Sequence, residues 1–292
     1  MRDEIVQGFW HGDPLTPLHW ACLRSFLICG LSFDLYSYQR LSVPAGVRLC
    51  DAAQVIPQDQ LFMFRNAFTG SPDVAPFADY FRLKLLVQRG GWWCDVDTIA
   101  QRGHLPRGDR VWARQAPEYR PDSISNGQIR FAASDPVLAR LIDEAERELP
   151  RLATRESLGP ELFTRVIGDL GLPRDMNATA DEFYPLRYVE IFKLWLPEFR
   201  EEVERRTSAA IFVPLYQSYP LRIGLTPDKG PPRGSYLDGF VRKHAHDMSW
   251  VPRDAAEFRG AVRRWLVAHR DSALMRLKTL SPDIDSWLDG NG

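Results

Sequence analysis

Between Phe77 and Asp97 the chain reads FADYFRLKLLVQRGGWWCDVD, and no other segment restricts the fold as tightly. Phe77, Phe81 and Leu85 recur every four residues, forming one apolar row of a helix expected over 74–88, with Asp73 placed to cap it. Gly90-Gly91 ends that helix, and Trp92-Trp93-Cys94-Asp95-Val96-Asp97 follows as a strand that reads as buried. Upstream, 5–10 reads as a short strand and His11-Gly12-Asp13-Pro14 as a turn. Leu18, Cys22, Phe26 and Cys29 then repeat at helical spacing as far as Gly30. Phe33, Leu35, Tyr36 and Tyr38 suit a second strand, and 47–49 and 53–56 are further extended pieces. Strand, helix, strand in this order predicts an α/β fold with a mostly parallel sheet flanked by helices.

The second half adds helices. They are expected over 136–149 (capped by Asp135), 160–170 (closed by Gly171), 189–206 and 255–268, with a buried strand over 208–213 and a rigid loop at 230–234. No repeat or linker divides the chain, so residues 1–292 are expected to form one domain with helical additions in the C-terminal half. A net charge of -1 supplies no field for nucleic acid or an anionic membrane. The longest uncharged stretch, 207–221, is interrupted by Pro214 and Pro220 and falls short of the ~20 apolar residues of a membrane helix. Met1-Arg2-Asp3-Glu4 has no apolar secretory core, and Cys22, Cys29, Cys50 and Cys94 lack paired spacing. A reducing cytoplasm is the expected setting, either free or peripheral at the inner face of a membrane.

Asp95 and Asp97, two apart on a strand, would project from one face about 7 Å apart. Such a pair can hold a hard divalent cation and orient a ribose hydroxyl, and the cation neutralises a departing diphosphate. Two tryptophans precede the pair, and acids in a buried setting require a partner. Asp79 and Arg82 lie three apart on one side of the preceding helix, a carboxylate for hydroxyls beside a planar cation for phosphate or sugar oxygens. The chain has no Gly-x-x-x-x-Gly-Lys-Ser/Thr phosphate loop, Gly-x-Ser-x-Gly elbow or His-Glu-x-x-His helix.

The ordered set Ala78-Asp79-x-x-Arg82 and Gly90-Gly91-Trp92-Trp93-x-Asp95-x-Asp97 resembles the signature of glycosyltransferase family 32, the glycosyltransferases with a DXD sugar-binding region. That family is related to the donor core of the large clostridial glucosylating toxins. Phe9-Trp10-His11-Gly12 resembles its opening strand and turn, Asn126-Gly127 to Pro136 its segment after the DXD strand, and Gly159-Pro160 to Thr164 its later helix start. The resemblance implies a Rossmann-like GT-A fold, with 1–165 as nucleotide-sugar-binding core and 166–292 as acceptor and lid region. It implies a retaining transferase that uses Mn²⁺ or Mg²⁺ and a nucleotide-diphospho-sugar, UDP-sugar favoured. The acceptor would be a glycan, a lipid-linked glycan or a protein.

Roles carry over residue by residue. Trp10, beside Phe9, would stack on the base; Asp95 would meet ribose and metal; Asp97 would meet metal and diphosphate. Asp79 and Arg82 would contact the sugar and phosphates, with Asn126, Ser235 and Tyr236 also on the donor. Pro214 stands where relatives carry a histidine before Leu215-Tyr216-Gln217, so His244 or His246 is expected to complete the metal site. Two other expectations compete: a metal-dependent nucleotide-sugar hydrolase, and a non-catalytic nucleotide- or carbohydrate-binding protein.

Overall fold

Ile5–Phe9 forms β1, and every residue after Ile5 is buried, as befits a strand covered on both faces. The computed structural model describes residues 5–65, 72–152, 154–226, 228–281 and 284–288; Met1 to Glu4, the stretch without a secretory core, lies outside them. After β1 come α1 (Pro17–Ile28), β2 (Ser32–Ser37), β3 (Arg48–Asp51) and a small antiparallel pair, β4 (Phe64–Arg65) and β5 (Pro72–Asp73). Next are α2 (Ala75–Arg89), β6 (Gly91–Cys94), β7 (Thr98–Ala100), β8 (Arg110–Val111), β9 (Gln128–Phe131), α3 (Pro136–Glu148) and α4 (Pro160–Asp169). The remaining half comprises α5 (Ala180–Phe183), α6 (Phe192–Trp195), α7 (Arg200–Thr207), β10 (Phe212–Pro214), α8 (Tyr219–Arg222), α9 (Tyr236–His244), α10 (Ala255–Ala268), α11 (Met275–Leu280) and α12 (Ile284–Leu288).

The main sheet has six strands in the order β3-β2-β1-β6-β9-β8. β1 runs parallel to β2, with Val6 opposite Phe33, and parallel to β6, with Val6 opposite Trp92. β9 runs antiparallel to both β6 and β8. The mostly parallel α/β sheet flanked by helices is therefore present, and its antiparallel edge is what the local sequence pattern did not disclose. Successive side chains of a strand point to opposite faces. Trp92 accordingly packs with Phe183 and Phe212 on one side, and Trp93 joins Phe9, Phe77 and Phe81 on the other. A third core cluster lies between α1 and the C-terminal helices.

Three local expectations are corrected. The segment expected to be extended at 53–56 begins in a 3₁₀ turn, Ala52–Gln54, because the Asp51 carboxylate accepts from Ala53 N–H at 2.9 Å. The single helix expected over 189–206 is broken into Tyr188–Glu190, α6, Pro197–Phe199 and α7, since Pro197 supplies no N–H to a continuing helix. The strand expected at 208–213 is short and later, β10, paired antiparallel with β7. Among the described residues, no helix is long and apolar enough to cross a membrane.

Two features fix how α2 delivers the chain into β6. Gln7, buried in the central strand, donates from Nε2 to the Gly90 carbonyl at 2.8 Å. Gly90 has φ 62 and ψ -164, a region closed to side chains, and a Cβ there would lie 2.5 Å from Ala133 N. Gly90→Ala should therefore destabilise the fold by about 1–3 kcal/mol through backbone strain, before any clash is added. Urea denaturation measures this; a loss under ~0.5 kcal/mol would show that the turn relaxes freely.

Candidate active site

Helix α2 buries more than its apolar row. Asp79 and Arg82 are 7% and 4% exposed, so both are buried beneath the mouth of the site. Arg82 Nη2 lies 2.8 Å from Asp79 Oδ1 and 3.2 Å from Asp95 Oδ1, so one guanidinium serves two carboxylates. Its plane sits over the Trp93 ring at 4.8 Å, and its other nitrogen donates to the Asn126 carbonyl. Asn126 Nδ2 donates to Asp79 Oδ1 at 2.9 Å, and Trp93 Nε1 donates to Asp95 Oδ1 at 2.9 Å. Gly159, at the start of α4, presses against Asp79 so closely that a Cβ would stand 2.5 Å from its Oδ2.

Asp95 and Asp97 do not sit on one strand. They occupy the turn between β6 and β7, because β6 ends at Cys94 and the chain turns before pairing with β10. That pairing brings 214–217 against Asp97: Leu215 N–H donates to its carbonyl at 2.9 Å, and Gln217 N–H donates to its Oδ2 at 3.0 Å. Between them Tyr216 adopts φ 46, an uncommon conformation for a residue with a side chain, and its hydroxyl accepts from Gln115 Nε2. Pro214 itself only continues the strand.

Trp10 lies just beyond β1, half-buried, with its edge against His19 at 4.3 Å and its Nε1 donating to the Asp13 carbonyl at 2.8 Å. Burial pushes the His19 imidazole down to about 3, so it is neutral at working pH, and its Nδ1 accepts from Thr16 N–H at 3.1 Å. Thr16 Oγ1 in turn lies 3.5 Å from Gln217 Oε1. A line of contacts thus joins Trp10 through His19, Thr16 and Gln217 to Asp97. His19 and Thr16 carried no signal beyond a helix start, and Gln217 stood out only by following the departure at Pro214.

Phe9 faces away, in an aromatic cluster with Tyr38, Phe77 and Phe81, and acts as core. Ser235 caps α9 by accepting from Asp238 N–H at 3.1 Å, and Tyr236 accepts from Gln101 Nε2 at 2.7 Å. His244 lies against Phe240, its carbonyl accepting from Arg24, while His246 is exposed beside the Arg24–Asp247 ion pair. Tyr236 and His244 line a separate cleft of about 420 Å³ with Ser25 and Cys29, toward the far end of α1 from Thr16. The helix that carries them packs on α1 and α6, which holds these residues apart from the acids. Among the described residues, no three His, Cys, Asp or Glu side chains gather closely enough to hold a metal by themselves.

Asp79 and Asp95 thus share one directly bonded guanidinium, and Asp97 stands near them without an ion-pair partner among the described residues. Asp79 is pushed up to about 6, first by burial and then by the Asp95 charge, against the pull of Arg82. Asp97 is also pushed up to about 6, by burial and by Asp95. Excess negative charge carried on carboxylate oxygens suits a hard divalent cation that takes one or two protein ligands and completes its shell with phosphate oxygens and water.

No protein-family model matches the chain, and no curated protein matches it. Among solved structures the chain is similar to the PaToxG glycosyltransferase, with 15% identity and a TM-score of 0.41 over 57% of this chain and 68% of that one. It is also similar to the glycosyltransferase GlyE of Streptococcus pneumoniae TIGR4, in its apo form and in a second structure, with 13% identity and a TM-score of 0.43. That match covers 91% of this chain but 64% of GlyE, just under two thirds of its length. At these identities and TM-scores neither structure assigns an activity to this chain.

An acid whose folded pKa lies above its unfolded 3.8 holds its proton more tightly when folded, so stability falls as pH rises between 3.8 and about 6. The stability of the wild type relative to Asp79→Asn should therefore drop by up to about 3 kcal/mol from pH 4 to pH 7 in the ligand-free protein. Urea titrations at several pH values measure the difference; a difference independent of pH would contradict the burial cause.

Proposed function

We propose that this site binds a nucleotide-diphospho-sugar together with Mn²⁺ or Mg²⁺ and transfers the sugar to a hydroxyl acceptor with retention of configuration. The observation that carries this proposal is the sharing of Arg82 by Asp79 and Asp95 while Asp97, with no ion-pair partner among the described residues, stands beside them at the carboxyl end of the central strands. Asp97 and Asp95 would hold the cation, whose chemistry is to neutralise the departing diphosphate.

The chain's own groups do the rest. Trp10 offers a flat face to the base, and Asp95 accepts from a ribose hydroxyl. Asp79, expected from sequence to touch the donor sugar, is instead sealed under Gly159 and bonded to Arg82 and Asn126, so its proposed role is to fix that guanidinium. Arg82, expected from sequence to touch the donor, instead has its nitrogens occupied by Asp79, Asp95 and the Asn126 carbonyl, so its proposed role is to hold the acids in position. The acceptor oxygen bonds to the anomeric carbon on the face from which the diphosphate leaves. The sugar–oxygen bond breaks with its electron pair going to the diphosphate, and the hydroxyl proton passes to a diphosphate oxygen. Fixed charges already in place supply the catalysis. UDP-sugar is the favoured donor, and a glycan is the favoured acceptor.

Screening UDP- and GDP-sugars for slow hydrolysis in the presence of Mn²⁺ tests the proposal. Asp97→Asn should lower that turnover at least about 100-fold, the scale of losing one electrostatic stabiliser, with the melting temperature in metal-free buffer at neutral pH not lowered. Undiminished turnover in the variant, or in excess chelator, would falsify the metal-dependent reading. Trp10→Ala should weaken UDP binding by about tenfold, read by calorimetry. Unfolding of that variant would make Trp10 a core residue instead.

A further inference from the structure

The mouth beside Asp97 has a second wall that the donor reading leaves unused. Tyr216, next to the Gln217 that bonds Asp97, has its ring 5.3 Å from Tyr188, which is half-buried and also packs on Tyr219 at 6.1 Å. The exposed Arg222 guanidinium lies 5.3 Å from the centre of the Tyr188 ring and has no ion-pair partner among the described residues. Arg155, paired to Asp73 at 2.6 Å, is carried by the segment that ends at Gly159 on Asp79. Arg155 draws down the carboxyls of Asp79 and Asp97 and the phenol of Tyr188, so its charge reaches both walls. The Glu156 charge acts on the Tyr188 phenol in the opposite sense.

A guanidinium laid over an aromatic ring is held flat with its N–H edge outward. Planar cations of this kind donate to carboxylate or phosphate oxygens in pairs. A site for a neutral acceptor has no use for that charge. We propose that Tyr188, Arg222 and Arg155 form the acceptor subsite, and that it takes a hydroxyl acceptor bearing an acidic group, a carboxylate or a phosphate. This rests on the transferase reading above. It adds that the nucleophile arrives on the Tyr216 side of Asp97, with its acidic group held between the arginines while its hydroxyl faces the anomeric carbon.

The test is made first without nucleotide or metal, so that it stands apart from turnover. Methyl α-D-glucopyranosiduronic acid and glucose 6-phosphate are titrated by NMR against the neutral methyl α-D-glucopyranoside. At least one acidic probe should bind at least about threefold more tightly than the neutral one, and whichever does identifies carboxylate or phosphate as the group held. Arg222→Gln should reduce that preference by about threefold to tenfold, and raised salt should reduce it too. With donor and Mn²⁺ present, the acidic-over-neutral ratio of kcat/KM should fall by the same factor in the variant. Arg222 lies on an exposed turn of α8, and a melting temperature confirms that the variant is folded. Equal binding of acidic and neutral probes, or a preference that survives both Arg222→Gln and Arg155→Gln, overturns the subsite. Failure of donor turnover with the acidic preference intact would remove the transferase reading and leave an anion site; the reverse would remove only the subsite.

Discussion

One guanidinium holds the candidate site together. Arg82 reaches Asp79 on its own helix, Asp95 beyond β6 and the Asn126 carbonyl before β9, all from above the Trp93 ring. Helix α2, the β6–β7 turn and the approach to β9 are thereby fixed relative to one another by a single planar cation. Leaving buried acids without that partner costs about 3–5 kcal/mol in comparable settings, so the site and the stability of this corner depend on the same group. The surroundings keep it there: Gly159 closes over Asp79, and Asn126 satisfies the oxygen that also meets Arg82.

From this anchor the charge is graded outward. Asp79 is sealed, the Asp95 side chain is 39% exposed, and Asp97 stands half-buried with only backbone N–H groups to receive. Burial alone favours protonated acids at the mouth, and the proposed cation, were it bound there, would reverse that balance. The turn that carries Asp97 is set by the β7–β10 ladder and by the strained Tyr216, so the C-terminal half contributes through backbone hydrogen bonds rather than through an imidazole. The same strained residue joins the donor side to the aromatic and cationic wall around Tyr188.

What the sequence disclosed follows the range of the interactions involved. The row Phe77, Phe81 and Leu85, the glycine stop and the pairing of Asp79 with Arg82 are local, and spacing alone exposed them. Asp95 and Asp97 were identified as neighbours, yet placed on a strand, because the turn depends on a partner strand more than a hundred residues later. The antiparallel β9 is only four residues long, and its polar–apolar alternation shows neither which strand it pairs with nor in which direction. His244 and His246 drew attention by residue type, but the apolar face of α9 directs that helix to α1, away from the acids. Gln7, His19 and Arg155 act through contacts at long separation or through burial, and no pattern in the chain marks such residues.

The central claim is that Asp95 and Asp97 form half of a cation site whose other half is the donor's diphosphate. Titration of Mn²⁺ with and without UDP, with free Mn²⁺ followed by electron paramagnetic resonance, tests it most directly. Weak binding of Mn²⁺ alone, tightened by about tenfold or more when UDP is present, is the predicted result, since phosphate oxygens complete the shell. A Mn²⁺ affinity indifferent to UDP would contradict it.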